Sequence, residues 1–410
     1  MKSFNVPIHY RSPLVNTIKQ SRKVADKMKN DFTPTILQLG TLQLILARHF
    51  GFCYGVENAI EIAFNAVEEN KGKRVFLLSE MIHNPGVNAD LLALGVRFIM
   101  DTKGNMLLNW DDLNRDDIVI IPAFGTTVEI EEKLKSIGIN PTIYETTCPF
   151  VEKVWNRAAK IGKEGYTIII HGKPGHEETR ATFSHSKENT PTLIVKDMAQ
   201  AQLLGKYIAK ELPAKQFYED FKGQFSTGFD VEKDLVKIGV VNQTTMLATE
   251  TQAISEYLKN TITNFYSNKD KNEELHFADM RDTLCYATHD NQTAVLNMLE
   301  TVEANLALVI GGYNSSNTSH LVELCEAILP TYFISNETCL IDNKIIKHFD
   351  LHTHSEIITE TYLPPTPNIK VMITSGASCP DSLVESIINR LAKLTANEEH
   401  LATMQKDWNA

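Results

Sequence analysis

The stretch Arg48-His49-Phe50-Gly51-Phe52-Cys53-Tyr54-Gly55-Val56 places a cysteine between two glycines. The apolar run Leu42–Leu46, which precedes it, is typical of a buried strand. Beyond the cysteine, apolar residues recur at the spacing of one helix face. They are Val56, Ile60, Ala63, Phe64 and Val67. The pattern predicts that Cys53 lies in a strand-to-helix turn.

Two other cysteines have the same context. Cys148, within Thr146-Thr147-Cys148-Pro149, follows an apolar segment and precedes a helical pattern, and so does Cys285 at the end of the stretch that begins at Glu274. Three such turns indicate three repeated α/β units sharing one centre. Thiolates at loop tips are common ligands of iron–sulfur clusters and of zinc. The remaining cysteines are interpreted as small buried residues, and they are Cys325, Cys339 and Cys379.

Short apolar runs alternate with helical patterns from Leu42 onward, which predicts an α/β fold with parallel sheets. The predicted strands are Leu42–Leu46, Val75–Leu78, Ile118–Ile121, Ile168–Ile170, Leu193–Val195, Ile238–Val241, Leu306–Ile310, Tyr332–Ile334 and Val371–Ile373. The predicted segments are an N-terminal extension 1–40, α/β units 41–147, 148–284 and 285–378, and a C-terminal helix and tail 379–410. We interpret residues 200–232 as an insertion on the outside of the second unit.

Composition excludes several classes of protein. The chain has 410 residues and a formal net charge of −11, which argues against nucleic acid as a partner. No apolar run approaches the ~20 residues of a membrane span. The cysteines form no close pairs, and no secretory signal is present, so a reducing compartment is expected. Asp26 and Asp31 interrupt the basic N-terminus and argue against plastid import, so we expect a cytoplasmic protein.

Polar loops follow the predicted strands, and parallel α/β sheets bind ligands at that edge. Ser315-Ser316-Asn317 and Ser378 precede helical patterns, where free N–H groups attract anions or merely need a cap. His83 and His176 are suited to phosphate, to a metal or to a structural role in a loop. Glu178 is a candidate proton donor if burial raises its pKa, and otherwise an exposed glutamate.

These residues together predict a pocket with three thiolates, a proton donor and an anion cradle. A cluster- or metal-dependent enzyme acting on a phosphorylated small molecule fits that set. Two other interpretations remain open at this point: a three-thiolate zinc hydrolase of a phosphorylated metabolite, and a non-enzymatic protein that binds a phosphate ligand.

The sequence closely resembles one known family, the 4-hydroxy-3-methylbut-2-enyl diphosphate reductases of the non-mevalonate isoprenoid pathway. The resemblance runs from about Leu42 to about Leu394 and excludes the extension, the insertion and the tail. The segments that carry it are Gly51-Phe52-Cys53-Tyr54-Gly55-Val56, Thr146-Thr147-Cys148-Pro149, Cys285-Tyr286-Ala287-Thr288, Asn314-Ser315-Ser316-Asn317 and Gly376-Ala377-Ser378.

The resemblance implies three α/β units around a pseudo-threefold axis, with one 4Fe–4S cluster at the centre. It matches Cys53, Cys148 and Cys285 to the cluster ligands, with one iron open to the substrate hydroxyl. It matches Glu178 to the proton donor and Thr244 to a residue beside that hydroxyl. The diphosphate would lie among His83, His176, Ser315, Ser316, Asn317 and Ser378.

The implied reaction is a reductive dehydroxylation of the allylic diphosphate to isopentenyl and dimethylallyl diphosphate. A ferredoxin or flavodoxin would supply the electrons. The sequence departs from many bacterial members at Phe124, where they carry a diphosphate-binding histidine. We therefore assign no diphosphate-binding role to Phe124.

Overall fold

The computed structural model describes residues 4–28, 30–267, 276–278, 283 and 285–409. It forms two compact units. The first contains Met1–Glu57, His83–Val87 and Tyr286–Ala410, and the second contains Asn58–Ile82 and Asn88–Cys285. Most of the stretch from Glu274 to Leu284, which leads into the third predicted turn, lies outside the described residues.

The first unit is built on a mixed sheet, which has seven strands among the described residues, in the order β1-β2-β13-β9-β10-β11-β12. They are β1 Thr35–Leu39, β2 Leu42–Leu46, β9 Leu306–Ile310, β10 Thr331–Ile334, β11 Ile345–Asp350, β12 Ser355–Glu360 and β13 Ile369–Ser375. The central strands β2, β13, β9 and β10 run parallel, and antiparallel strands extend the sheet on both sides. Most residues of these central strands are apolar and buried because helices cover both faces of the sheet there.

The second unit contains two parallel sheets of three described strands each, β4-β3-β5 and β7-β6-β8. These strands are β3 Val75–Leu77, β4 Arg97–Phe98, β5 Ile118–Ile120, β6 Thr167–His171, β7 Thr192–Val195 and β8 Ile238–Asn242. Every residue of β6, β7 and β8 is buried.

Helices connect most of the strands. They are α1 Pro13–Ala25, α2 Tyr54–Glu69, α3 Pro85–Ala93, α4 Val128–Ile137, α5 Pro149–Lys163, α6 Glu177–Lys187, α7 Met198–Ile208, α8 Ala214–Asp220, α9 Val231–Asp234, α10 Ala248–Ser267, α11 Tyr286–Thr301, α12 Ser316–Glu326, α13 Asp381–Leu394 and α14 Glu398–Asn409. In the described part of the chain, no helix has both the length and the apolar character needed to cross a membrane.

The predicted α/β class is confirmed, and each of the nine predicted strands is present within a residue or two of its expected bounds. The structure adds strands that the sequence did not predict. One of them, β1, belongs to the segment that we interpreted as an extension, and it pairs with β2 along its whole length. In addition, β2 pairs with β13, so the two strands lie in one sheet although they were assigned to different α/β units.

The segment 200–232 differs from the surface insertion that we expected. Leu204 on α7, Phe217 on α8 and Phe221 directly after α8 are all fully buried and belong to an apolar core. Phe217 stacks on Phe221 and Phe229 with ring centroids 4.9 and 5.4 Å apart. Aromatic rings of this size stabilise the unit through the area that they bury, so the segment is part of the second unit's core.

The first residues of the described chain pack on the turn that carries Cys53. Phe4 contacts Tyr54 edge-on at 4.9 Å, and Tyr10 contacts Phe52 in the same way at 5.9 Å. Both N-terminal rings are buried, whereas Ile8 between them is 85% exposed. The N-terminal segment is thus an ordered layer on both aromatic neighbours of Cys53.

Candidate active site

The predicted site residues fall into two groups, one in each unit. The first unit holds Cys53, His83, Ser315, Ser316, Asn317 and Ser378. The second unit holds Cys148, His176, Glu178, Thr244 and Cys285.

In the first unit, the start of α12 forms a polar cradle. Ser315 is the N-cap, and its Oγ accepts hydrogen bonds from the amide of Thr318 at 3.2 Å and from the Thr318 hydroxyl at 2.9 Å. Ser316 is 4% exposed, and its buried Oγ has no hydrogen-bond partner. Buried hydroxyls without a partner are uncommon because desolvating them costs free energy. An orphan hydroxyl beside a helix N-terminus is therefore suited to an anion.

Two hydrogen bonds connect this cradle to the loop after β13 and to the Cys53 turn. The side-chain oxygen of Asn317 accepts from the amide of Ala377 at 2.9 Å. The carbonyl of Ala377 in turn accepts from the amide of Cys53 at 3.2 Å. Ser378 donates from its Oγ to the carbonyl oxygen of His83 at 3.2 Å. The first unit thus brings all of its predicted site residues to one place.

Glycines at the strand ends make room for this arrangement, a feature that the sequence analysis missed. A β-carbon on Gly376 would stand 2.0 Å from Thr318 Oγ1, and one on Gly311 would stand 2.6 Å from the same atom. A β-carbon on Gly312 would stand 2.4 Å from the His83 carbonyl oxygen. Glycine directly after an apolar strand was the available signal, since it often marks a close backbone approach.

In the second unit, Glu178 and Thr244 form a buried pair. The Thr244 amide donates to Glu178 Oε1 at 2.5 Å, and the Thr244 hydroxyl donates to Oε2 at 3.0 Å. The Glu178 side chain is 1% exposed. Burial raises the pKa of Glu178 to about 7, although both bonds from Thr244 lower it. A carboxyl with that pKa holds a proton near neutral pH and can release it.

His176 caps the same helix and is fixed by Phe124. Its Nδ1 accepts from the amide of Glu178 at 3.2 Å, so the proton of the neutral ring lies on Nε2. The Phe124 ring contacts the imidazole edge-on at a centroid distance of 5.6 Å. Phe124, where the sequence departs from the pattern expected by resemblance, therefore packs against His176. Glu177, which lies between His176 and Glu178 in the chain, accepts a hydrogen bond from Ser79.

The three candidate ligand cysteines each stand at the start of a helix. Cys53 and Cys285 directly precede α2 and α11, and Cys148 is the N-cap of α5. Burial raises the pKa of the Cys148 thiol to about 12, and the neighbouring Cys285 and Glu178 add to the effect. Such a thiol stays protonated until a bound cation stabilises its thiolate. Helix N-termini favour that thiolate, and thiolates are the usual ligands of iron–sulfur clusters.

The other cysteines are accounted for by packing, as predicted. Cys325 and Cys379 are 0% exposed, and Cys339 is 5% exposed. Among the described residues, no three His, Cys, Asp or Glu side chains group closely enough to hold one metal ion.

Comparison with known proteins gives the family. The sequence matches the LytB protein family over residues 44–392. The chain belongs to the LytB family. A relative from Picosynechococcus sp., named 4-hydroxy-3-methylbut-2-enyl diphosphate reductase, is 37% identical over 380 residues, 90% of this chain and 91% of its own. A relative of the same name from Synechocystis sp. is 38% identical over 379 residues, which cover 92% and 96% of the two chains.

Two solved structures of this family show the same fold. The reductase of E-1-hydroxy-2-methyl-but-2-enyl-4-diphosphate from Plasmodium falciparum is 22% identical and aligns with a TM-score of 0.60 over 87% of this chain and 89% of its own. A structure of (E)-4-hydroxy-3-methyl-but-2-enyl diphosphate reductase, 23% identical, aligns with a TM-score of 0.51 over 85% and 99%. The resemblance predicted from sequence motifs is confirmed, and this LytB protein is an oxidoreductase.

Proposed function

We propose that this LytB protein reduces 4-hydroxy-3-methylbut-2-enyl diphosphate to isopentenyl and dimethylallyl diphosphate. The reaction breaks the allylic carbon–oxygen bond, consumes two electrons and two protons, forms one carbon–hydrogen bond and releases water. The named relatives support this substrate. The observation that carries the chemistry is the buried Glu178 carboxyl, whose raised pKa suits an acid that protonates a leaving hydroxyl.

In this proposal Glu178 protonates the substrate hydroxyl, and Thr244 orients Glu178. Thr244 holds both carboxyl oxygens of Glu178, so the acid has one fixed orientation. Protonation converts a poor leaving group, hydroxide, into water. The low exposure of the pair keeps bulk water from competing for the proton, because water-excluded sites strengthen such interactions.

Cys53, Cys148 and Cys285 would hold one 4Fe–4S cluster per chain. A bound cluster would pass electrons from the external donor to the substrate one at a time and would act as a Lewis acid toward the hydroxyl oxygen. The three cysteines can act as ligands because metal binding converts their thiols to thiolates.

The diphosphate would bind to neutral donors. Ser315, Ser316 and Asn317 supply the polar start of α12, and Ser378 lies on the adjoining loop. His83 belongs to the same cradle, and His176 offers its Nε2 proton. Fixing the phosphate end orients the allylic end, and such positioning can lower the barrier by several kcal/mol, up to about 7–11 kcal/mol.

We also propose a cytoplasmic enzyme that receives electrons from a ferredoxin or a flavodoxin. A reducing compartment keeps the ligand thiols available. An artificial one-electron donor can replace the natural one in the assays below.

Anaerobic purification tests the proposal. We expect a brown protein with about four irons per chain that converts the allylic diphosphate with reduced methyl viologen. Serine in place of Cys53, Cys148 or Cys285 should remove both the iron and the turnover. Cys325→Ala is the matched control, since it also deletes a buried thiol and should keep both.

The alternative interpretations predict different results. A colourless protein with one zinc, or one without metal whose ligand binding survives all three serine substitutions, would contradict the proposal. The names of the relatives favour neither alternative.

A further inference from the structure

Gln243 is a buried polar side chain for which the mechanism above has no role. It directly follows β8, precedes Thr244, and is 0% exposed. A buried amide requires partners for its oxygen and its nitrogen. Those partners come from three different segments of the second unit.

The side-chain oxygen of Gln243 accepts two hydrogen bonds. One comes from the amide of Lys173 at 3.1 Å, in the loop after β6, and the other from the hydroxyl of Thr179 at 3.0 Å, in the first turn of α6. The side-chain nitrogen donates to the hydroxyl of Thr245 at 2.7 Å. The backbone amide donates to the carbonyl of His171 at 2.8 Å.

The space around this amide is closely filled. A β-carbon on Gly172 would stand 2.7 Å from Thr179 Oγ1 and 3.0 Å from the Gln243 β-carbon. The glycine therefore allows the β6 loop, the start of α6 and the Gln243 side chain to come together. Any shift of one segment would break a bond to another.

These contacts relate directly to the acid. Thr179 is the neighbour of Glu178 in the chain, and Thr244 follows Gln243. One side chain thus joins the segment that carries the carboxyl to the segment that holds it. We propose that Gln243 is a positioning residue that sets the distance and orientation between Glu178 and Thr244. The inference rests on the proposed function, in which Glu178 delivers a proton.

Gln243→Met is the informative substitution because it keeps the length of the side chain and removes its hydrogen bonds. We expect kcat to fall about 10-fold or more while KM for the diphosphate and the iron content stay unchanged. Gln200→Met is the matched control. Gln200 also accepts from a backbone amide, that of Lys196, and exchanges hydrogen bonds with Gln224 in the second unit. Its loss should leave kcat unchanged.

A double-mutant cycle separates positioning from general damage. In the Glu178→Gln background, adding Gln243→Met should lower kcat by less than about 2-fold, because the acid that it positions is already gone. Equal losses in both backgrounds would overturn the proposal, and so would a KM effect with kcat intact. If Gln243→Met does not fold, Thr179→Val removes one of the same bonds at nearly constant shape and should show the same pattern with a smaller loss.

Hydrogen exchange of the holoenzyme gives a readout that does not depend on turnover. The Thr244 amide is protected by its bond to Glu178, so Gln243→Met should speed its exchange and Gln200→Met should not. Unchanged exchange would remove Gln243 from the positioning role whatever the kinetics. If Glu178→Gln keeps full activity, the acid assignment fails, and the exchange result still decides whether Gln243 holds the pair.

Discussion

At the scale of single residues, the environment of Glu178 decides its chemistry. Its two hydrogen bonds from Thr244 favour the charged carboxylate, but burial outweighs them and raises the pKa to about 7. The adjacent Glu177 is also buried, yet it accepts a hydrogen bond from Ser79. Two consecutive glutamates thus have different hydrogen-bond partners, which the sequence alone does not distinguish.

Glu178→Gln should retain iron and lower kcat by about 100-fold or more, since the amide cannot donate the proton of a carboxylic acid. In the wild type, the protonated form predominates below the pKa, so kcat should be constant there and should decrease as the pH rises through about 7. The variant should lack that decrease. Steady-state rates between pH 5.5 and 9 provide the measurement, and an identical profile in both proteins would contradict the assignment.

Phe124→Leu should raise KM for the diphosphate without lowering the unfolding free energy by more than about 1 kcal/mol. The leucine keeps apolar bulk but loses the edge contact that orients His176. Aromatic pairs contribute about 0.5–1.5 kcal/mol, so a KM increase of roughly 2- to 10-fold is expected. Substrate titration measures it, and Phe150→Leu on α5 provides an aromatic control in the same unit. A KM equal to the wild-type value would show that Phe124 does not orient His176.

At the scale of elements, strands with uniform apolar sequence were predictable, and edge strands were not. The central strands are buried on both faces and read as continuous apolar runs. In contrast, β12 is a mostly exposed edge strand, Ser355–Glu360, with polar residues at most positions. Its strand conformation comes from pairing with β11, a long-range contact for which the local pattern contains no evidence.

The residues 200–232 show the same limit in a different way. Phe217, Phe221, Phe225 and Phe229 recur every four residues, and the interspersed Lys, Glu and Gly residues concealed that spacing. Because the rings pack on one another, they form a core rather than a surface insertion. Period-four aromatics were the signal that the sequence analysis did not use.

The two serines at the start of α12 should differ in what their substitution changes: the stability of the protein for Ser315 and the KM for the diphosphate for Ser316. Ser315→Ala removes the N-cap and should lower the unfolding free energy by about 1 kcal/mol. Ser316→Ala removes a hydroxyl that has no partner, so stability should not fall, while KM for the diphosphate should rise several-fold. Denaturant unfolding and substrate titration of both variants measure this difference. A loss of stability in Ser316→Ala with unchanged KM would remove Ser316 from the anion cradle.

At the scale of the whole molecule, the sequence predicted the class of fold, the three sheets' central strands and the family, but not how the chain returns on itself. The strand β2 lies beside β13, more than 300 residues later in the chain. Local periodicity cannot report such pairings. The candidate site shows the same difference between local and long-range features. The residue types at strand ends could be predicted from the sequence, whereas the contacts of Gln243 and Thr318 depend on the folded structure.

The N-terminal segment lies outside the family match, yet it is part of the folded first unit. Tyr10→Ala should lower the unfolding free energy by about 3 kcal/mol, because it removes a buried ring from the Phe52 contact. Ile8→Ala is the control and should change it by less than about 0.5 kcal/mol, since the side chain is exposed. Urea unfolding gives both values. Equal small effects would mean that the segment does not contribute to the stability of the unit.

The burial of Phe4 also bears on how the protein is best produced. A chain shortened to begin after Phe4 would lack a ring that is 6% exposed and packs on Tyr54. Expression vectors should therefore retain Phe4 and the residues that follow it.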